Sequence, residues 1–475
     1  MRVLLVSHLF PPDHEAGTEL YTAALGKELA ALGHEVAVFA TTKDIGREHG
    51  SVADREHEGL AVRELVNNLY HESFEESYGW RAAERVLEQL LEEVRPEVVH
   101  FNHLMYLSVG CLQVAKRFGA GVVFTLHDFW LECPRFGQLV HADGGVCETV
   151  DFARCGSCLP SLEWRQPPGW QRAGRMIAGI KGKLGVDLGP VARGLGRGMR
   201  RVKDRGTSDE EPTRDSASTE EVRAFERHAS ERAERVRSAV LEHVDRFISP
   251  SRFLLERLER WGLPAERSHH FPTGIERGRF ARPKGAKAPD PDGLVHVAFL
   301  GTLVPIKGAH VLLEAWGKLP EELGSRGELT LFGPSDHAPA YVADLGEQAE
   351  AVGAELGGVL DRRGVAEVLA KADVLVVPSI WYENRPLIVL EALAMSTPVI
   401  VSEPGGMAEL VEDGVTGWRF PMGDSGALAE RLGYVLEDPR RLDALRFDDV
   451  PLADWSELAE RTAGLYEEVL AEGDR

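Results

Sequence analysis

Two glutamates, Glu383 and Glu391, stand eight positions apart in the stretch Pro378-Ser379-Ile380-Trp381-Tyr382-Glu383-Asn384-Arg385-Pro386-Leu387-Ile388-Val389-Leu390-Glu391-Ala392. Carboxylates can grip hydroxyl groups or move protons. Just upstream, Ala372–Val377 is a short apolar run that reads as a buried parallel strand. Pro386 suits the first turn of a following helix, where a missing N–H costs nothing. Glu383 then falls on a strand-to-helix loop and Glu391 about a turn and a half into the helix. In an open α/β sheet that is where ligands bind, and the helix N-terminus favours a phosphate. Acids repel phosphates, so carboxylates there make sense if they hold the hydroxyls of a ribose and a hexose. The pattern implies a nucleotide-sugar pocket.

Other residues could complete such a site. Gly17 and Thr18 follow the first apolar run and open a helical pattern, with Thr18 or a neighbour as cap and backbone N–H groups free for an anion. His127-Asp128 closes the run Thr125-Leu126. A histidine at a strand end either serves structure or meets a sugar hydroxyl or phosphate oxygen. Lys307, in Gly301-Thr302-Leu303-Val304-Pro305-Ile306-Lys307-Gly308, offers a cation to a departing diphosphate. Arg385 either joins that phosphate-facing loop or makes a salt bridge at its surface. Four of the five cysteines, Cys133, Cys147, Cys155 and Cys158, crowd one segment. Structural zinc, an iron–sulfur cluster, four metal-free thiols or air-formed disulfides each fit, and a thiolate metal site is the preferred expectation.

The surrounding elements alternate strand and helix: Val3–His8, Thr18–Leu32, Glu35–Ala40, Trp80–Val94, Val98–Phe101 and Val122–Leu126. A second series runs through His296–Leu300, Leu329–Phe332, Val374–Val377 and Val399–Ser402. This is the rhythm of doubly wound parallel sheets, and 475 residues suffice for two such domains. No Gly-x-Gly-x-x-Gly follows the first strand, against a nicotinamide enzyme. A formal charge of −22 argues against nucleic-acid binding. The first residues read as a strand rather than a signal peptide, and no apolar run is long enough to span a membrane, so a cytoplasmic protein is expected.

Between the halves, residues 161–205 hold eleven Lys and Arg against three Asp and Glu. Trp170, Met176, Ile177, Ile180 and Leu184 fall at helical spacing among Arg172, Arg175, Lys181 and Lys183. That combination suits peripheral contact with an anionic membrane at its inner face, a partner surface, or the acidic surface of the chain itself. Residues 206–220 read as disordered, helical patterning resumes at 221–244, and 283–291 reads as a linker.

The segment from Pro378 through Thr397-Pro398-Val399-Ile400 to Gly405-Gly406 and Asp413-Gly414-Val415-Thr416-Gly417 closely resembles the family-4 retaining glycosyltransferases. That resemblance implies a GT-B fold: two Rossmann-like α/β domains facing across a cleft. Residues 1–280 would form the acceptor-side domain, with a cysteine-rich segment at 130–160 and an insertion at 161–220, and 290–475 the donor domain. It implies transfer of a sugar from a UDP- or GDP-type donor to a glycan or lipid-linked acceptor, in polysaccharide or glycolipid biosynthesis. Glu383 would hold the donor hexose and Glu391 the ribose. Lys307 and the backbone of Asn384, Arg385, Pro386 and Leu387 would hold the diphosphate, so no catalytic metal is expected. His127 would reach the donor sugar, and Gly17 and Thr18 would lie near the diphosphate and acceptor. A subset of the family carries a similar Cys-Pro-Arg and Cys-x2-Cys arrangement. The family's Arg is Thr302 here, and its usual Gly is Ser396. Another GT-B enzyme, such as an epimerase or phosphorylase, and a non-catalytic nucleotide-sugar binder stay open as alternatives.

Overall fold

The computed structural model describes residues 1–184, 217–281 and 293–473. The expected linker at 283–291 and residues 185–216 of the insertion lie outside these. The chain forms two compact units: Met1–Pro250 with Leu255–Phe271 and Trp455–Arg475, and Ser251–Leu254 with Pro272–Asp454.

The first unit runs β1 (Arg2–Ser7), α1 (Gly17–Ala31), β2 (Glu35–Thr42), β3 (Val52–His57), β4 (Leu60–Val66), α2 (Arg81–Val94), β5 (Val98–Phe101), α3 (Gly110–Phe118) and β6 (Gly121–Thr125). Then follow α4 (Phe152–Cys158), α5 (Pro168–Leu184), α6 (Thr219–His243), β7 (Arg246–Ser249), α7 (Arg252–Trp261) and β8 (Ser268–His270). Its eight-stranded sheet has the order β3-β4-β2-β1-β5-β6-β7-β8. All neighbours are parallel except β3 and β4. That hairpin escapes the sequence reading because its exposed edge strand is charged. Its signal is Glu58-Gly59, where two consecutive positive φ angles of 49° and 84° make the mirror-image turn that two-residue hairpins need. Cross-strand pairs of Arg55 with Glu64 and Arg63 with Asp54 hold the register.

The second unit contains β9 (Gly274–Ile275), β10 (Val295–Leu300), α8 (Ala309–Gly317), β11 (Gly327–Phe332), α9 (Pro339–Val352), β12 (Glu355–Gly358), α10 (Arg362–Lys371), β13 (Val374–Val377), α11 (Leu387–Ala394), β14 (Val399–Glu403), β15 (Gly417–Pro421), α12 (Ser425–Glu437) and β16 (Ala453–Asp454). Its main sheet is wholly parallel, ordered β12-β11-β10-β13-β14-β15. This is the doubly wound order whose direction of growth reverses between the first and fourth strands, here β10 and β13. Val374–Val377 is buried throughout, with Leu375 and Val377 among the apolar side chains under α11 and Val374 and Val376 in a second cluster with β10.

The last helix, α13 (Trp455–Gly473), belongs to the first unit, whereas the sequence pattern places it with the second. It buries Leu458, Ala459, Leu465, Tyr466 and Val469 against the core around β1, β5 and β6. Gly121 is small for this reason: a Cβ there would come within 2.6 Å of Val469 Cγ1. Trp170 and Met176 on α5 are exposed. No helix among the described residues is long and apolar enough to cross a membrane.

Candidate active site

The two switch-point strands of the second unit end in loops pressed against each other. Gly308, with φ of 72°, would place a Cβ 1.8 Å from the Pro378 carbonyl oxygen, so only glycine fits. Ile380 N–H donates to the Ile306 carbonyl at 2.9 Å. This close approach delivers Lys307, after β10, to Glu383, after β13, with Nζ 2.7 Å from Oε1. The same oxygen accepts from Ser379 Oγ at 2.7 Å and from the Trp381 indole N–H at 2.8 Å. Glu383 is buried, and the Lys307 ammonium also lies 5.1 Å from the Trp381 ring centre. Trp381 was not singled out by sequence, although an indole two residues before a loop carboxylate is its signal.

The rest of this loop is equally constrained. The Glu383 carbonyl accepts from Gly406 N–H at 2.8 Å, and a Cβ on Gly406 would fall 2.3 Å from the Asn384 carbonyl. Asn384 Oδ1 accepts from Ser251 Oγ at 2.5 Å. Pro386 is the residue before α11 rather than within its first turn, and Leu387 opens the helix, whose first N–H groups have no partner within it. Glu391 lies one turn further on, buried, with Oε1 accepting from Arg362 Nη2 at 2.6 Å. Burial pushes its carboxyl up, against the pull of Arg362. Arg385 is half-buried, and burial lowers its guanidinium to about 10 against the field of Glu409. Its Nη2 donates to the Pro451 carbonyl at 3.4 Å, and no carboxylate among the described residues forms an ion pair with it. The alternative reading of Arg385 as a surface salt bridge is therefore not found among the described residues.

Ser396 sits just past α11 at φ of 57°. Thr397 N–H reaches back to the Ala392 carbonyl and Ser396 N–H to Leu393, the hydrogen bonds of a left-handed helix stop that normally takes glycine. The demand at this position is thus on φ rather than on a close backbone approach.

The first unit holds a second polar cluster, at the ends of β1, β5 and β6, where its own strand order reverses. His8 Nε2 lies 3.2 Å from Glu19 Oε1, and His103 Nε2 3.1 Å from Asp128 Oδ2. His103 Nδ1 accepts from the Met105 N–H, so its proton is on Nε2, facing Asp128. Burial opposes ionisation of Glu19, yet the neighbouring His8 holds its carboxyl down at about 2. Burial and His103 hold the His127 imidazole at about 3, so it is neutral at physiological pH. Its ring stands edge-on to Tyr21 at 4.6 Å. Asn102 is fully buried with neither side-chain atom hydrogen-bonded. His8, Glu19, Asn102 and His103 were missed by sequence, since lone polar residues at strand ends declare nothing until the strands are ordered. Gly17 and Thr18 begin α1, but the residue before the helix is Ala16, so Thr18 is not the cap; its carbonyl instead accepts from Thr22 Oγ1. A Cβ on Gly17 would meet nothing within 4 Å, so packing does not demand glycine there.

The metal expectation for Cys133, Cys147, Cys155 and Cys158 is overturned. No group of three His, Cys, Asp or Glu among the described residues is placed to hold a metal ion, and all four cysteines are free, without disulfides. Cys155 and Cys158 are not a turn but opposite ends of one helical turn in α4. Burial pushes the Cys133 thiol up to about 11 and Cys155 to about 12, away from the thiolates a metal needs. The segment is ordered by other means. Asp151 caps α4 through Ala153 N–H, and α4 packs so closely on α6 that a Cβ at Gly156 would meet the Val222 carbonyl at 2.6 Å.

Two family models match this chain: Glycosyltransferase Family 4 over residues 16–145 and Glycosyl transferases group 1 over residues 284–447. The two matches lie one in each half of the chain, and the chain has the GT-B fold. Among relatives of this GT-B chain is the amylovoran biosynthesis glycosyltransferase AmsK of Erwinia amylovora, 32% identical over 187 residues, 38% of this chain and 44% of AmsK. The chain thus spans about half the length of the curated relatives it matches. Sucrose-phosphate synthase from Thermosynechococcus elongatus shares the fold with a TM-score of 0.62 at 20% identity, over 99% of both chains. Anabaena HepE, solved in complex with UDP and glucose, shares it with a TM-score of 0.60 at 15% identity, over 98% of this chain and 99% of that one.

Proposed function

We propose that this GT-B protein transfers a hexose from a UDP- or GDP-type donor to a hydroxyl acceptor with retention at the anomeric carbon. The observation that supports this is the meeting of Lys307 and Glu383 at the carboxyl ends of β10 and β13, with Glu391 following one turn into the helix that succeeds Glu383. Lys307, Arg385 and the first N–H groups of α11 hold the diphosphate, where negative charge grows as it departs. Glu391 accepts from the ribose hydroxyls. Glu383 holds the hexose and stabilises positive charge at its anomeric carbon. The anomeric C–O bond to phosphate breaks with its electron pair going to the phosphate, and the acceptor oxygen bonds to the same face. The acceptor proton passes to the departing phosphate oxygen. On the family resemblance, a neutral His127 contacts a hydroxyl of the transferred sugar, and Gly17 and Thr18 lie near the diphosphate and the acceptor. The acceptor is a glycan or a lipid-linked sugar, and exposed Trp170 and Met176, with Arg172 and Arg175, support peripheral membrane contact through α5.

A mass-spectrometric screen of nucleotide-sugars, followed by slow donor hydrolysis without acceptor, tests this. Glu383→Ala should abolish turnover and keep nucleoside diphosphate affinity. Glu391→Ala should weaken that affinity about tenfold or more. Release of sugar-1-phosphate, or donor binding with no hydrolysis or transfer at all, would overturn the assignment.

A further inference from the structure

The charged partner of Glu391 belongs to no motif read from the sequence. Arg362 begins α10, directly after the loop that leaves β12, and brings its guanidinium 2.6 Å from a carboxylate that is 2% exposed. The guanidinium carbon lies 4.9 Å from the ring centre of the fully buried Phe280. One side of the guanidinium is thus fixed by an aromatic ring, and one N–H is committed to Glu391. About a third of the Arg362 side chain is exposed.

A carboxylate can accept from two ribose hydroxyls only while ionised; protonated, it becomes a donor itself. Burial works against that ionised state in Glu391. The charged groups acting on it are Arg362, then Arg279, both favouring the anion, and Glu276, opposing it. Glu276 is itself occupied by Arg279, at 3.0 Å, which leaves Arg362 as the direct partner of Glu391.

We propose that Arg362 is a positioning residue for nucleotide recognition: braced on Phe280, it keeps Glu391 ionised and fixes its rotamer so that the free lone pairs meet the ribose hydroxyls of the donor. This rests on the assignment of Glu391 to the ribose. Phe280 acts only through Arg362.

The experiment is calorimetric titration of the purified full chain with UDP, GDP and ADP over about pH 5 to 8. Affinities of each variant are expressed as ratios to wild type at the same pH, which cancels the titration of the ligand's own phosphate. For Arg362→Gln, the ratio should fall about tenfold from the top to the bottom of that range, as Glu391 takes up a proton. Arg362→Lys should restore a flat profile while binding more weakly, because it returns the charge without the planar brace. Glu391→Gln should weaken binding at every pH with a flat ratio. If Arg362→Gln and wild type run parallel while Glu391→Gln binds weakly, the positioning role of Arg362 is wrong. If Glu391→Gln binds as wild type, the ribose assignment beneath it is wrong.

Discussion

Lys307→Met isolates the contact on which the donor site turns. In the native loop, Lys307 Nζ and Glu383 Oε1 are 2.7 Å apart, with side chains 28% and 6% exposed. A fully exposed pair contributes about 0–1 kcal/mol, and breaking a fully buried one costs about 3–5 kcal/mol. With the lysine more than a quarter exposed and Ser379 and Trp381 still donating to the stranded carboxylate, about 2 kcal/mol is expected. Glu383→Gln removes the same attraction from the other side while its ammonium partner can still reach water, so it should cost less. The double variant should be less destabilised than the sum by about 1–2 kcal/mol, the signature of direct coupling. Hydrogen exchange at Val295–Leu300 and Val374–Val377, the two strands feeding these loops, reports this sheet alone. The same Lys307→Met protein should lose about 10²–10³ in kcat/KM for donor hydrolysis, since a fixed cation beside the departing diphosphate is gone. Additive exchange effects together with unimpaired hydrolysis would refute the reasoning.

Other outcomes follow from single features. Ser396→Gly should stabilise the second unit by about 0.5–1 kcal/mol, because φ of 57° strains any residue with a Cβ; slower exchange at Thr397 would show it, and faster exchange would contradict it. Burial holds His100 and His127 at about 3 and His49 and His71 at about 4 in the folded first unit. An unfolded histidine titrates near 6.5, so below that pH the unfolded chain binds more protons and stability falls, by roughly 1.4 kcal/mol per pH unit per histidine until the folded value is reached. Exchange in β5 and β6 should therefore accelerate between about pH 6.5 and 4 more than exchange in β10 and β13, and equal acid sensitivity would dismiss the assignment. Trp170→Ala combined with Met176→Glu should reduce co-sedimentation with anionic vesicles and leave donor hydrolysis unchanged; undiminished sedimentation would exclude α5 as the contact.

The α/β rhythm and the placement of Glu383 and Glu391 were legible from sequence because each depends on local pattern: a short apolar run makes a buried strand, and a proline with a following apolar face makes a helix. Lys307, too, was marked by its own loop. Strand order was not legible, since it depends on contacts between residues far apart in the chain. Only the tertiary structure sets β10 beside β13, bringing Lys307 to Glu383, and β5 beside β6, bringing His103 to Asp128; it brings Arg362 on α10 to Glu391 on α11. It also assigns α13 to the first unit, which no local propensity states. The cysteines show the converse limit. Their spacing suggests a metal knuckle, but Asp151 starts a helix through Cys155 and Cys158, and burial pushes the Cys155 thiol up to about 12. Residue types and intervals set which chemistry is available to this chain, and long-range packing decides which of those groups meet and in which charge state.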